Sequence, residues 1–224
     1  MMQSIPTPSQ ADHLKGIYHL SQDADWVSTN DLAAHIQSRP ASVTGMIKTL
    51  QLQGWVAHRA YHGVALTESG RRWALELVRS HRLWEVFLCE RLGFDWHEVH
   101  DLAEQLEHVR GRELVERLDR YLGNPCWDPH GDPIPSASGE MPTRVRWISA
   151  AELPVGSRAT VTGMHTVHDT FLRHLDALLV RPGLRFEVLN RSEFDGSAEV
   201  LYQDGKKFIW SVQTSENLYV QIIE

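Results

Sequence analysis

Residues 99–109 read VHDLAEQLEHV, which places His100, Glu104, Glu107 and His108 at i, i+4, i+7 and i+8. At about 100° per residue, these four side chains span roughly a quarter of a helix circumference. Val99, Leu102, Ala103, Leu106 and Val109 form a separate apolar stripe beside them. Imidazole and carboxylate are donors for divalent first-row metals, and four-residue spacing puts two of them on one helical face. The preceding helical pattern adds His81 and Glu85, again four apart, and Asp12 is a contribution from the N-terminal end. A single pair of this kind is common on a solvated face. Two successive helices, one with four donors beside a complete apolar stripe, point to a metal centre.

The elements that must position these donors can be read along the chain. QADHLKGIYHLSQ reads as a first helix with Leu14, Ile17 and Tyr18 inward. STNDLAAHI offers Ser, Thr and Asn caps before a short helix. SRPASVTGMIKTLQLQGW begins another, with Pro40 in its first turn, an inward stripe of Val43, Ile47 and Leu50, and Gly54 as its stop. WVAHRAYHGVALT reads as a hairpin turning near His62–Gly63. That order describes a winged helix-turn-helix, expected over residues 1–75.

ESGRRWALELVRSHRLWEVFLCERLG is a long helical pattern ending near Gly93, and DWHEVHDLAEQLEHVRG and RELVERLDRYLG add two more helices. The Pro, Gly and Ser of NPCWDPHGDPIPSASGEMPT (124–143) read as a domain boundary, closing a helical domain of residues 76–143. Over 144–224, SRATVTGM, LRFEVLNRS, SAEVLYQDGKKFIW and NLYVQIIE read as strands, with Asp195–Gly196 and Asp204–Gly205 as turns. DTFLRHLDALL is one helix in what reads as a small β barrel. The expected class is mainly α with a small β domain.

The formal net charge of −7 argues against a nucleic-acid binder until it is divided along the chain. Residues 1–75 carry six Lys and Arg against five Asp and Glu, whereas residues 76–140 carry seven against fourteen. The acidic surplus belongs to the segment with the donor helix, and a near-neutral N-terminal module is compatible with binding DNA. Two cysteines make no disulfide framework. Cys89 has apolar neighbours and reads as packed, and Cys126 is a weak ligand candidate. No stretch approaches the roughly 18 uninterrupted apolar residues of a membrane helix. MMQSIPTPSQADHLKG shows no basic segment followed by an apolar run, so no secretory signal and a cytoplasmic location are expected.

SHRLWEVFL, VHDLAEQLEHV and DPHGDPIP, after a winged helix and before a small β domain, resemble the diphtheria-toxin-repressor family of metal-dependent transcriptional regulators. The resemblance covers nearly the whole chain and is weakest over residues 144–224. It implies a helical metal-binding and dimerisation domain and a C-terminal SH3-like β barrel. It also implies one metal site at Asp12, Glu104, Glu107 and His108, and a second at His81, Glu85 and His100. In some members the second site is completed from the C-terminal region; His168 and His165 are the candidates here, against a reading of both as surface histidines. His130 is expected to be structural within the Pro-rich connection.

Iron-responsive members carry Met and Cys where this chain has Asp12 and Glu104. Two carboxylates in place of soft ligands favour a hard ion, so Mn(2+) is expected, with Fe(2+) as the alternative. Some manganese-type members carry a further carboxylate three residues after the first-helix Asp; here that residue is Lys15, which argues against a bridged two-manganese cluster of that kind.

A recognition helix offers its N-terminal residues to base edges while basic groups grip phosphate. The matching residues are Arg39, Ala41, Ser42, Thr44 and Lys48, with Arg59 and His62 on the wing. The expected function is a dimeric, manganese-responsive repressor of metal-uptake genes that binds a palindromic DNA operator and no membrane. The rivals are an iron(II)-responsive regulator, a winged-helix regulator that uses no metal, and a hydrolytic metalloenzyme. The chain has no HExxH segment, nor the Glu-x-x-His pair on each of two helices of a di-iron bundle.

Overall fold

The computed structural model describes residues 5–22, 24–109, 111–142 and 148–223. They divide into two compact units: residues 1–81, 106–112 and 135–140 in one, and 82–105, 113–134 and 141–224 in the other. The boundary expected at 143/144 lies outside the described residues.

In the first unit, α1 (Pro8–Leu20) starts from a reciprocal cap. Thr7 accepts from the Gln10 backbone while the Gln10 side chain accepts from the Thr7 N–H. Its inward residues Leu14, Ile17 and Tyr18 are buried. α2 (Thr29–His35) is capped by Ser28, and α3 (Pro40–Leu52) buries Val43, Ile47 and Leu50, as its periodicity requires. β1 (Val56–Arg59) and β2 (Gly63–Leu66) pair antiparallel, in register Val56↔Leu66. A bridge from Val27 to Val64 ties this hairpin back to the helices, with both backbone bonds at 2.9 Å. Gly63 is required there: its φ is +113°, and a Cβ would stand 2.2 Å from the Val27 carbonyl oxygen. The result is the expected winged helix.

α4 (Glu68–Leu92) runs unbroken through the expected 75/76 boundary. α5 (Val99–Leu106) is shorter than its sequence pattern. It stops at Leu106, so Glu107 and His108 lie in the turn that follows, and Val109 is exposed rather than part of an apolar face. Only Val99 and Ala103 of that stripe are buried. α6 (Arg112–Tyr121) follows.

In the second unit, Leu83 and Val86 of α4 pack with Leu118, Leu122 and Ile134. Ile134 comes from the Pro-rich stretch, which reads in sequence as a loose connection. It is packed instead: Asp128, His130 and Ile134 are buried, and Trp127 bridges Pro133. The rest of the unit is a six-stranded antiparallel sheet in the order β3-β8-β4-β5-β6-β7. These strands are Ile148–Ser149, Leu218–Ile222, Arg158–Met164, Arg185–Arg191, Ala198–Tyr202 and Lys207–Trp210. α7 (Asp169–Ala177) and the short α8 (Val212–Glu216) complete it, around a core that includes Leu172, Leu175, Trp210 and Leu218. Bulges after Val161 and Val188 curve the sheet. Among the described residues β3 and β7 remain edges, so the expected barrel is an open, curved sheet. Among the described residues β3 comprises Ile148 and Ser149.

Candidate metal centre

Asp12 and Lys15 lie three residues apart on α1 and therefore share a face. The turn after α5 brings Glu107 and His108 to that face. His108 Nε2 stands 3.0 Å from Asp12 Oδ1 and 3.8 Å from Glu107 Oε1. One donor atom from each of Asp12, Glu107 and His108 falls within 4.8 Å of the others, the spacing of a cation's ligands. The Glu107 side chain is fully buried, whereas Asp12 and His108 are partly open to solvent.

A buried carboxylate must be paired, and two groups pair this one. The Lys15 ammonium donates to Glu107 Oε1 and Oε2 at 3.0 and 2.7 Å, and His81 Nδ1 lies 2.6 Å from Oε2. His81 thus meets the ligand carboxylate of the first expected site. Two carboxylates and an imidazole, the hard and borderline donors, suit a divalent first-row ion.

A second cluster lies wholly in the other unit. Glu85, Asp128 and His130 bring one donor each within 4.8 Å, and all three are buried. His130 Nδ1 is 3.6 Å from Glu85 Oε1, while its Nε2 donates to the Trp96 carbonyl at 2.8 Å. That outer bond leaves the Nδ1 lone pair for the cluster, the arrangement that ligating histidines use. Asp128 Oδ1 accepts backbone bonds from His130 and Asp132, and its Oδ2 faces Arg82 Nε at 3.6 Å. Gly131, at φ +84°, allows the loop to lie against the sheet: a Cβ would stand 2.2 Å from the Thr162 carbonyl oxygen.

Burial pushes the Asp128 carboxyl up to about 8; Glu85 and Asp132 add to this, and His130 and Arg82 oppose it. Burial alone would lower His130, but Glu85 and then Asp128 overcome it and hold the imidazole at about 9. The Glu85 carboxylate raises both groups, on top of burial at Asp128 and against burial at His130. A divalent ion could take the place of the protons they hold. His130, expected to be structural, is buried in this cluster with Asp128, which the sequence reading did not single out because Pro and Gly dominate its surroundings; the Asp-x-His spacing was the available signal.

The remaining expected residues fall as follows. His100 Nδ1 lies 3.5 Å from Glu85 Oε1, and its Nε2 3.8 Å from Glu104. His165 and His168 are exposed, and neither belongs to a three-donor group among the described residues. His165 instead bonds the Tyr219 hydroxyl at 2.6 Å, and His168 precedes α7. Cys89 is half-buried, its thiol pushed up to about 12 by burial and the nearby Glu85 charge; Cys126 is exposed.

On the winged helix, Arg39, Ala41, Ser42, Thr44 and Lys48 are all exposed on one side of α3, with Gly45 open between them. The Thr44 hydroxyl donates to the Pro40 carbonyl at 2.9 Å. Arg59 stacks over Trp26, 4.7 Å from the ring centroid, and His62 is exposed at the wing turn. Tyr61 beside it is fully exposed.

Three family models match successive stretches of the chain. They are the iron dependent repressor N-terminal DNA binding domain (7–64), the iron dependent repressor metal binding and dimerisation domain (67–136) and the FeoA domain (148–221). The chain is 32% identical over 114 residues to the HTH-type transcriptional regulator MntR of Lysinibacillus sphaericus, covering 51% of this chain and 81% of that protein. It is 30% identical over 155 residues to the iron-dependent repressor IdeR of Mycobacterium tuberculosis, covering 66% and 67%. Among solved structures, a manganese-dependent transcriptional repressor in complex with manganese superposes with a TM-score of 0.84 at 36% identity, over 95% of this chain and 99% of that one. The manganese regulator SloR gives 0.72 at 28% identity, over 97% and 100%.

Proposed function

The chain belongs to the diphtheria-toxin-repressor family of metal-dependent transcriptional regulators, and from that premise we propose that it is a manganese-responsive repressor of metal-uptake genes. Regulation of transcription, rather than catalysis, is the work of this family. The observation that carries the metal reading is the meeting of Asp12, from the DNA-binding module, with Glu107 and His108 at ligand spacing. An ion held there ties α1 to the segment after α5. It therefore favours the DNA-binding conformation by the difference in its affinity for the two states. Glu104 joins this set by family resemblance alone.

Hard carboxylates at Asp12 and Glu104 support Mn(2+), as do the manganese-dependent relatives. The 30% identity to an iron-dependent repressor keeps Fe(2+) as the second reading. For the second ion we propose Glu85 with Asp128 and His130. His81 and His100 stay in that expected set as flanking groups, and His168 as an outlying one. Operator reading falls to Arg39, Ala41, Ser42, Thr44, Lys48 and Arg59, in a cytoplasmic homodimer on a palindromic site. Domains of 1–75, 76–143 and 144–224, the last an SH3-like module, complete the proposal. No helix among the described residues is long and apolar enough to cross a membrane.

The test is operator binding by fluorescence anisotropy at buffered free metal, on a site selected from random DNA. Glu107→Ala should weaken the manganese response on the order of 100-fold while leaving a folded dimer. An unchanged manganese response in that variant would end this reading. A wild-type response to Fe(2+) at far lower free concentration than to Mn(2+) would replace manganese with iron.

A further inference from the structure

We infer that Tyr61 is a minor-groove reader: its ring enters the minor groove beside the half-site that α3 occupies, and makes affinity depend on A·T pairs there. This rests on the reading of the N-terminal module as one that places α3 in the major groove of DNA. The hairpin itself gives no reason for a tyrosine at this position. The Arg59 carbonyl accepts from the His62 N–H at 3.1 Å, which closes a turn with Ala60 and Tyr61 at its centre. Tyr61 has a φ of +65°, and the third position of such a turn favours glycine or asparagine at positive φ. For a bulky side chain this backbone is strained. Packing does not offset the strain: Tyr61 is fully exposed, and among the described residues its hydroxyl makes no hydrogen bond. A strained residue that its own fold does not use points to a use outside it.

The wing holds this residue in place. The Val27–Val64 bridge anchors β2, and at the end of β1 the Arg59 guanidinium lies 4.7 Å from the centroid of the Trp26 ring. The choice of groove follows from size. The major groove admits a helix or a two-stranded ribbon, whereas the minor groove is only about 6 Å wide. With α3 in the major groove, the β1–β2 ribbon is too broad for the minor groove next to it, so only a side chain at its tip can enter. Among the turn residues 60–62, Tyr61 is the one large apolar side chain, the kind that minor-groove proteins place against base steps. The floor of that groove carries an amino group at G·C pairs and none at A·T pairs, so a ring that reaches the floor selects A·T. His62, which follows and is exposed, adds a nitrogen donor for the acceptors of that floor.

The test is binding of the selected operator duplex by the full-length protein at saturating Mn(2+). Copies of the duplex carry 2,6-diaminopurine for adenine at A·T pairs bordering the half-sites. This base adds an amino group to the minor-groove floor and leaves the major-groove edge unchanged. Wild type should lose about tenfold in affinity on those copies, the order of one unfavourable base pair. Tyr61→Ala should bind the unmodified duplex about tenfold more weakly than wild type and no longer distinguish the two duplexes. Tyr61→Gly, which relieves the backbone, should unfold at a urea concentration at least as high as wild type. Equal wild-type affinity for both duplexes overturns the inference, as does full discrimination by Tyr61→Ala or a lower urea midpoint in Tyr61→Gly. Failure of the underlying reading is a separate result: Ser42→Glu on α3 would then leave binding unchanged.

Discussion

The two donor clusters are built from the same residue types and differ in almost everything else. The Asp12–Glu107–His108 cluster is part-exposed, draws on α1 and the turn after α5, and has its basic residue, Lys15, bonded directly to a ligand carboxylate. The Glu85–Asp128–His130 cluster is buried throughout, and its basic residue, Arg82, stands back at 3.6 Å. Arg82 is held there by bonds to the Pro133 carbonyl and by Asp132. A cluster open to solvent can load and unload with the concentration of an ion outside. A cluster sealed in a core is bound up with the stability of that core. On the proposed metal reading, the difference separates a sensing role from a structural one.

Histidine replacement should break the comparison most sharply. In metal-free protein, His130→Ala should cost about 3 kcal/mol in urea denaturation, because it leaves buried carboxylates short of a partner. His108→Ala should cost less than about 1 kcal/mol, since its contact with Asp12 is partly solvated. Equal losses would abolish the distinction. A smaller effect is expected from Arg82→Lys, which keeps the charge but loses the planar fork to the Pro133 carbonyl and Asp128. About 1–2 kcal/mol of stability should go, with manganese-dependent operator binding retained.

The smallest effect concerns the two thiols. At pH 8, iodoacetamide should label Cys126 and spare Cys89, whose thiolate fraction is on the order of 10⁻⁴ with its thiol at about 12. Labelling of Cys89 should then rise about tenfold per pH unit while the fold persists. Rapid labelling of Cys89 at pH 8 would show that the core around Glu85 is more open than its burial implies.

Much of the winged helix is legible in the residues themselves. Val43, Ile47 and Leu50 recur at helical spacing, Pro40 opens α3, and the Ser28–Asn30 run holds the cap of α2. These are local rules, satisfied within a turn or two. The metal donors were legible as types and partly as partners: Asp12 does meet Glu107 and His108. The single stripe was not, because a helix ends where its backbone finds other bonds, and here that is Leu106. His81, four residues from Glu85 on α4, also reaches Glu107 at 2.6 Å, a long-range contact that no periodicity encodes. The DPHGDPIP stretch has the composition of a linker, and composition alone does not distinguish a solvated Pro-Gly loop from one pressed against a sheet.

The bridge between Val27 and Val64 bears on the thermodynamics of association. It anchors the wing before any DNA arrives, and Gly63 allows the close approach that makes it possible. A wing that is already ordered loses little conformational entropy when it enters a groove. Complex formation by this module should therefore show a heat-capacity change that tracks the surface buried at the contact, without the additional contribution of a segment that folds on binding.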